Sequence, residues 1–169
     1  MAMNAHRSAW AMFGPRLWLV LAWMACIFLL SAQQGTESAG LSEAIARFLA
    51  TCVSSIAQAL GMDPAMFCVP VLTALFHPLV RKAAHATEYA VLAMLLVRWL
   101  AACLPGKRRV FMVAFGIACL YAVLDEAHQL LVPGRAGQAA DVAVDALGAA
   151  FGLFLYRVLR RIRTSGVSY

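Results

Sequence analysis

Leu124–Gly152, LDEAHQLLVPGRAGQAADVAVDALGAAFG, carries the strongest structural signal in the chain. It sets Asp125, Glu126, His128 and Gln129 into apolar sequence, turns at Pro133-Gly134-Arg135, and re-enters apolar sequence with Asp141 and Asp145. An ionisable side chain at mid-membrane costs about 2.5–3.5 kcal/mol on insertion scales, less near an interface, so membrane segments keep such groups mainly for pairing, pathways or sites. Asp141, Asp145, Gly148 and Gly152 repeat at i, i+4, i+7 and i+11, which puts them on one helical stripe where a neighbouring helix can approach closely. The stretch is therefore read as two helices that together carry a site.

The rest of the composition agrees with a bilayer as solvent. Of 169 residues 63% are apolar and only 13% charged, and the mean hydropathy is +0.79, far from the average soluble domain. The net charge of +6, from 14 Lys+Arg against 8 Asp+Glu, in a soluble chain would suggest nucleic acid. Here the basic residues flank apolar runs. They read as topology signals and as contacts for anionic headgroups, so membrane lipids are the expected partners and nucleic acid is not.

The fold class expected is an all-α integral membrane bundle forming a single domain over residues 1–169. Four spans are expected, over about 13–32, 79–103, 110–131 and 139–158, with an outer interfacial segment at 33–78. The first run, Leu17–Leu30, has the basic start of a signal peptide, but Leu30 spoils a cut after Ala32, so it is read as a retained helix. In the outer segment Leu41, Ile45, Phe48, Leu49, Cys52, Ile56 and Leu60 recur at helical spacing, which predicts an amphipathic helix ending near Gly61. Asp63-Pro64 is read as opening a short second element. Pro70 interrupts that element and Pro78 opens the second span.

Orientation follows from the basic residues. With the N-terminus in the cytoplasm, Arg7, Arg16, Arg98, Lys107, Arg108, Arg109, Arg157, Arg160, Arg161 and Arg163 fall on inner helix ends, ten of the fourteen. The positive-inside rule then puts both termini in the cytoplasm. All the acidic residues fall on the outer half. At about 1.5 Å rise per residue, His85, Asp125 and Asp145 each lie roughly 9 Å inside the outer end of their helices, in one slab. Arg81, His85 and Glu88 lie within about 60° on one helix face. A shared polar pocket opening outward follows from the cost of exposing these groups singly to lipid.

These residues resemble a known family. A first helix ending with Ser31 and Gln33, a second opening with Arg81, Lys82, His85 and Tyr89, then Asp125, Glu126, His128, Gln129, Pro133, Gly134 and Arg135, followed by Asp141, Asp145 and Gly148, look like the VanZ-like membrane proteins. Two positions depart from the pattern: Asp145 stands where many members have Asn, and Ala136-Gly137-Gln138 replaces a more usual Ser-containing link. The resemblance implies an envelope protein related to a teicoplanin-tolerance factor.

Each candidate has a structural reading beside the functional one. His85, Glu88, Asp125 and His128 are the acid/base candidates, because each histidine sits one turn from a carboxylate: His85 with Glu88, His128 with Asp125. Satisfied structural histidines, a metal-ligating role, and helix-fastening ion pairs of Glu88 and Asp125 with Arg81 and Arg135 are the alternatives. Ser31, Gln33, Arg81, Lys82, Tyr89, Glu126, Gln129, Arg135, Asp141 and Asp145 are the ligand-binding candidates, and Arg81, Lys82 and Arg135 equally suit snorkelling to headgroup phosphates. No cofactor motif is present, no metal-ligand spacing stands out, and no phosphate loop or nucleophile elbow occurs. Cys52 and Cys68 both fall in the outer segment, where an oxidising compartment would allow them to pair.

Three function classes follow: binding of a phosphate-bearing lipid or lipid-linked cell-wall precursor at the outer leaflet, a membrane hydrolase or transferase acting on it, or a small transporter or proton relay. The inner halves of the four helices lack titratable groups, which weighs against the last.

Overall fold

The computed structural model describes residues 13–32, 35–132 and 138–165, with the backbone alone for 35–39, 164 and 165. Every regular element among them is helical: α1 (Pro15–Ala32), α2 (Gly35–Ala59), α3 (Val69–Cys103), α4 (Lys107–Gln129) and α5 (Ala139–Ser165). All five are long and apolar enough to cross a membrane.

The helix that contains residues 79–103 begins earlier than the sequence suggests. Residues 64–67 form a turn, at whose start the Asp63 carboxylate accepts the Ala65 N–H at 2.9 Å, and one 35-residue helix then runs from Val69 through Pro78 to Cys103. Neither proline divides it. Pro70 lies in the first turn, where its missing N–H has no helical partner to lose, while Pro78 forgoes one interior bond, a defect membrane helices tolerate when neighbours re-satisfy the backbone. At about 1.5 Å per residue α3 is about 52 Å long, well beyond a hydrocarbon core of about 30 Å. α5 likewise continues past Val158 and carries Arg157–Arg163 in its last turns.

The helix expected from the spacing of Leu41 to Leu60 is present as α2, and it packs on its neighbour by small residues. Ala46, Ala50, Ser54 and Ala57 are buried, with α3 as the neighbour α2 packs against. Leu41, Phe48, Ile56 and Leu60 point outward, each at least 60% exposed. Small residues let two backbones come close, and large apolar ones are stable against lipid, so in a bilayer the faces exchange roles. Gly61, at φ 71°, ends α2, and Gly106, at φ 85°, follows Pro105 in the turn before α4; both positions need the left-handed backbone that glycine adopts without strain.

Side-chain contacts set the helix directions. The Trp23 indole donates to the Glu88 carbonyl at 2.9 Å, and the Tyr121 hydroxyl to the Met24 carbonyl at 2.6 Å. Phe28 stacks on His128, so α1 and α4 run in the same direction. Gly148 faces Ala86 and Gly152 faces Ala90, so α3 and α5 also run together. The Gln138 N–H donates to Glu126 while Tyr156 meets Phe111 edge-on, which makes α5 antiparallel to α4.

Small residues draw this bundle tight. A Cβ added at Gly148 or Gly152 would overlap the backbone of Ala86 or Ala90, so α3 and α5 meet almost backbone to backbone. Ala114, Ala118 and Ala122, all 0% exposed, give α4 a matching stripe. Tyr89, Leu92, Leu96 and Val97 of α3 fill the space between, with Val20 and Ile27 of α1. Outside, Trp18, Leu120, Phe151 and Phe154 are exposed, as lipid-facing side chains are.

Candidate functional site

At the end of the bundle where α3 enters and α4 leaves, the interior turns polar. Asp125, Glu126 and Gln129 of α4 and Asp141 and Asp145 of α5 are buried beside His85 of α3. They are brought there by the same helical periodicity that buries the alanines. Asp145 precedes Gly148 by three residues, so the α3–α5 crossing that seats Gly148 on Ala86 also puts Asp145 beside His85.

The geometry pairs these residues across helices. His85 Nδ1 lies 3.5 Å from Asp145 Oδ1, an ion-pair distance too long for a good hydrogen bond, and the Asp145 side chain is 0% exposed. Lys82 Nζ reaches Asp141 Oδ1 at 4.0 Å from a half-exposed position. The Gln129 amide donates to Asp125 Oδ2 at 3.3 Å, and Glu126 Oε2 accepts the Gln138 N–H at 2.8 Å, which ties α4 to the start of α5. Asp145 lies within electrostatic reach of Asp125 and Asp141, and Glu126 within reach of Asp141, Asp145 and His85.

Other candidates take different places. His128 does not pair with Asp125, which faces Gln129 instead; its ring stacks on Phe28 with centroids 4.4 Å apart. His85 has Glu88 and Arg81 as charged neighbours one turn to either side, and its closest carboxylate is Asp145 on α5. Tyr89 is wholly buried in the core next to Tyr121, at 6.3 Å between ring centroids. Ser31 is buried near the end of α1. Gln33 and Arg135 lie outside the described residues, as do Pro133 and Gly134. All five cysteines, Cys52 and Cys68 among them, are free thiols.

Among the described residues, Ser31 Oγ, Tyr89 Oη, His128 Nε2, Asp125 Oδ1, Glu126 Oε1 and both Asp145 oxygens are buried without a hydrogen-bond partner. Native proteins rarely leave buried polar atoms unmatched outside functional sites. The cluster thus holds carboxylates deep in the bundle, with Arg81 and Lys82 nearer its rim. Such an arrangement can bind a headgroup having both anionic and hydrogen-bond-donating parts, and it can hold an imidazole in one orientation against a carboxylate. No group of three or more His, Cys, Asp or Glu side chains among the described residues is arranged to hold a metal ion.

Sequence reasoning missed the tethers of α1. Trp23 and Tyr121 are polar-tipped aromatics in apolar runs, and their side-chain bonds to the Glu88 and Met24 carbonyls fasten α1 to α3 and α4. Their signal was weak, because the same residue types also serve as interface anchors. No curated protein and no solved structure matches the chain. The model of the VanZ/LLP1 family matches it over residues 16–160, from the start of α1 to the last turns of α5, and this membrane protein therefore belongs to the VanZ/LLP1 family.

Proposed function

We propose that the protein binds a phosphate-bearing lipid, of the kind that carries cell-wall precursors, at the outer leaflet through the polar end of α3, α4 and α5, and thereby raises tolerance to a lipoglycopeptide such as teicoplanin. The observation that carries this reading is the His85–Asp145 pair buried at the α3–α5 crossing, with Arg81 and Lys82 one turn nearer the rim. Guanidinium and ammonium groups there suit the phosphate. The deeper carboxylates suit the hydroxyl and amine donors of a sugar or peptide headgroup. A second reading, a hydrolase or transferase acting on that lipid, has the same pair in its favour, because a buried carboxylate beside an imidazole fixes the tautomer that proton transfer needs.

The site faces outward in this proposal because the basic residues gather at the other end. Four crossings, with α2 at the interface, are supported by helix direction: Trp23 lies against Glu88 and Arg16 shares a cleft with Arg98, so α1 and α3 are antiparallel. A full crossing by α2 between them would make α1 and α3 parallel. Reporter fusions at Gly61 and Gly106 test this, with outward activity expected at Gly61 and none at Gly106.

Function is tested with R81A/K82A and with His85→Ala at matched membrane abundance. The first is expected to lose co-purifying phosphate-bearing lipid and tolerance together. His85→Ala should keep the lipid, and it should lose tolerance only if a proton is moved. Wild-type lipid content and tolerance in both would refute the proposal.

A further inference from the structure

At the opposite end of the bundle α1, α3 and α5 enclose a cleft of 760 Å³. Arg16, Arg98, Arg160 and Arg163 line it, contributed by three different helices, and among the described residues no acidic side chain does. On α3 the nearest carboxylate is Glu88, ten residues before Arg98 and about 15 Å away along the axis. Cationic side chains from three helices converging on one space give it a positive potential that favours an anion there. The cleft also changes character with depth. Val91, Met94 and Leu95 line it on the bilayer side of Arg98, with Val91 about 10 Å further in. Tyr156 adds a ring at the boundary, where amphipathic aromatics settle between headgroups and acyl chains.

A free soluble anion would use the arginines and leave the apolar wall unexplained. A phospholipid uses both, with its phosphate in the guanidinium forks and its first acyl carbons along the wall. We infer that this cleft is a binding site for an anionic lipid whose headgroup carries two phosphates, of the cardiolipin type, with its acyl chains against Val91, Met94 and Leu95. Two phosphates match a four-arginine site better than one, since each phosphate can take a bidentate guanidinium and a second cation. The inference uses none of the residues at the polar end and stands apart from the function proposed there.

The test is native mass spectrometry and thermal shift of the full-length protein in mild detergent, with cardiolipin, phosphatidylglycerol, phosphatidylcholine or soluble pyrophosphate added. Cardiolipin should be retained and should raise the melting temperature, phosphatidylglycerol less, and phosphatidylcholine not at all. Pyrophosphate at the same concentration should neither stabilise the protein nor displace cardiolipin. R98Q/R160Q should weaken cardiolipin binding about 25-fold, at about fivefold per arginine near a headgroup. K107Q/R109Q, at the same end but off the cleft, should change it less than about threefold. Equal retention of phosphatidylcholine, a shift with pyrophosphate as large as with cardiolipin, or equal losses in the two double variants would each overturn the assignment. The wild-type lipid comparison decides the matter even if R98Q/R160Q fails to accumulate.

Discussion

Along α4 the buried positions keep one spacing while their chemistry reverses. From Val110 through Ala114, Ala118 and Ala122 they are small and apolar, and from Asp125 through Glu126 to Gln129 they are carboxylates and an amide. α5 shows the same contrast in the opposite chain direction, with Asp141 and Asp145 preceding Gly148, Ala149 and Gly152. In one half, close packing is an end in itself. In the other the same backbone proximity brings charged groups from three helices within reach of one another, in surroundings where each would be unfavourable alone. The difference teaches that the polar residues are not exceptions to the packing pattern. They occupy core positions in it, and this separates a site from a set of snorkelling side chains.

The largest effect is expected where the two halves join. Gly148→Leu would force α3 and α5 apart at Ala86 and disturb both the alanine-packed core and the His85–Asp145 pair; the expected outcome is loss of monodisperse protein after extraction, read by size-exclusion chromatography. Next comes the polar half alone. Asp145→Ala strands His85 beside the remaining carboxylates, at a cost of about 3 kcal/mol in detergent unfolding. Asp145→Asn keeps a polar partner and costs about 1 kcal/mol. The double variant H85A/D145A should lose less than the sum of its single changes; additivity would mean the two side chains do not interact.

Within the apolar half, Ala118→Leu overfills a position that is 0% exposed and should cost about 2 kcal/mol while leaving lipid binding at the polar end unchanged. Loss of that binding at matched stability would show that the halves are not separable. Smallest is Tyr121→Phe, which removes only the bond to the Met24 carbonyl and should cost about 1 kcal/mol, read as earlier unfolding.

Much of this division was legible in the sequence, because titratable residues in apolar helices are rare and their spacing assigns them to faces. The helical class, the Asp141–Gly152 stripe and the gathering of acids away from the basic ends were all read from spacing and charge. Partners were harder to read. His85 was matched with Glu88 and His128 with Asp125 on sequence proximity, but the nearest carboxylate to His85 comes from α5, across a crossing point that Gly148 and Ala86 determine jointly. The face by which α2 packs on α3 was not legible for a related reason: a period of 3.6 identifies an apolar stripe without saying whether protein or lipid covers it. The start of α3 was placed at Pro78 because a proline usually ends a helix in water, a rule that weakens where neighbouring helices re-satisfy the backbone.

The most direct test of the central claim is an experimental density map of the full-length protein in discs of its native lipid. The account predicts His85 against Asp145 between α3 and α5, with headgroup phosphate density beside Arg81 and Lys82. His85 and Asp145 on separate faces toward the acyl chains, or a closed polar end with no lipid density at Arg81 and Lys82, would contradict it.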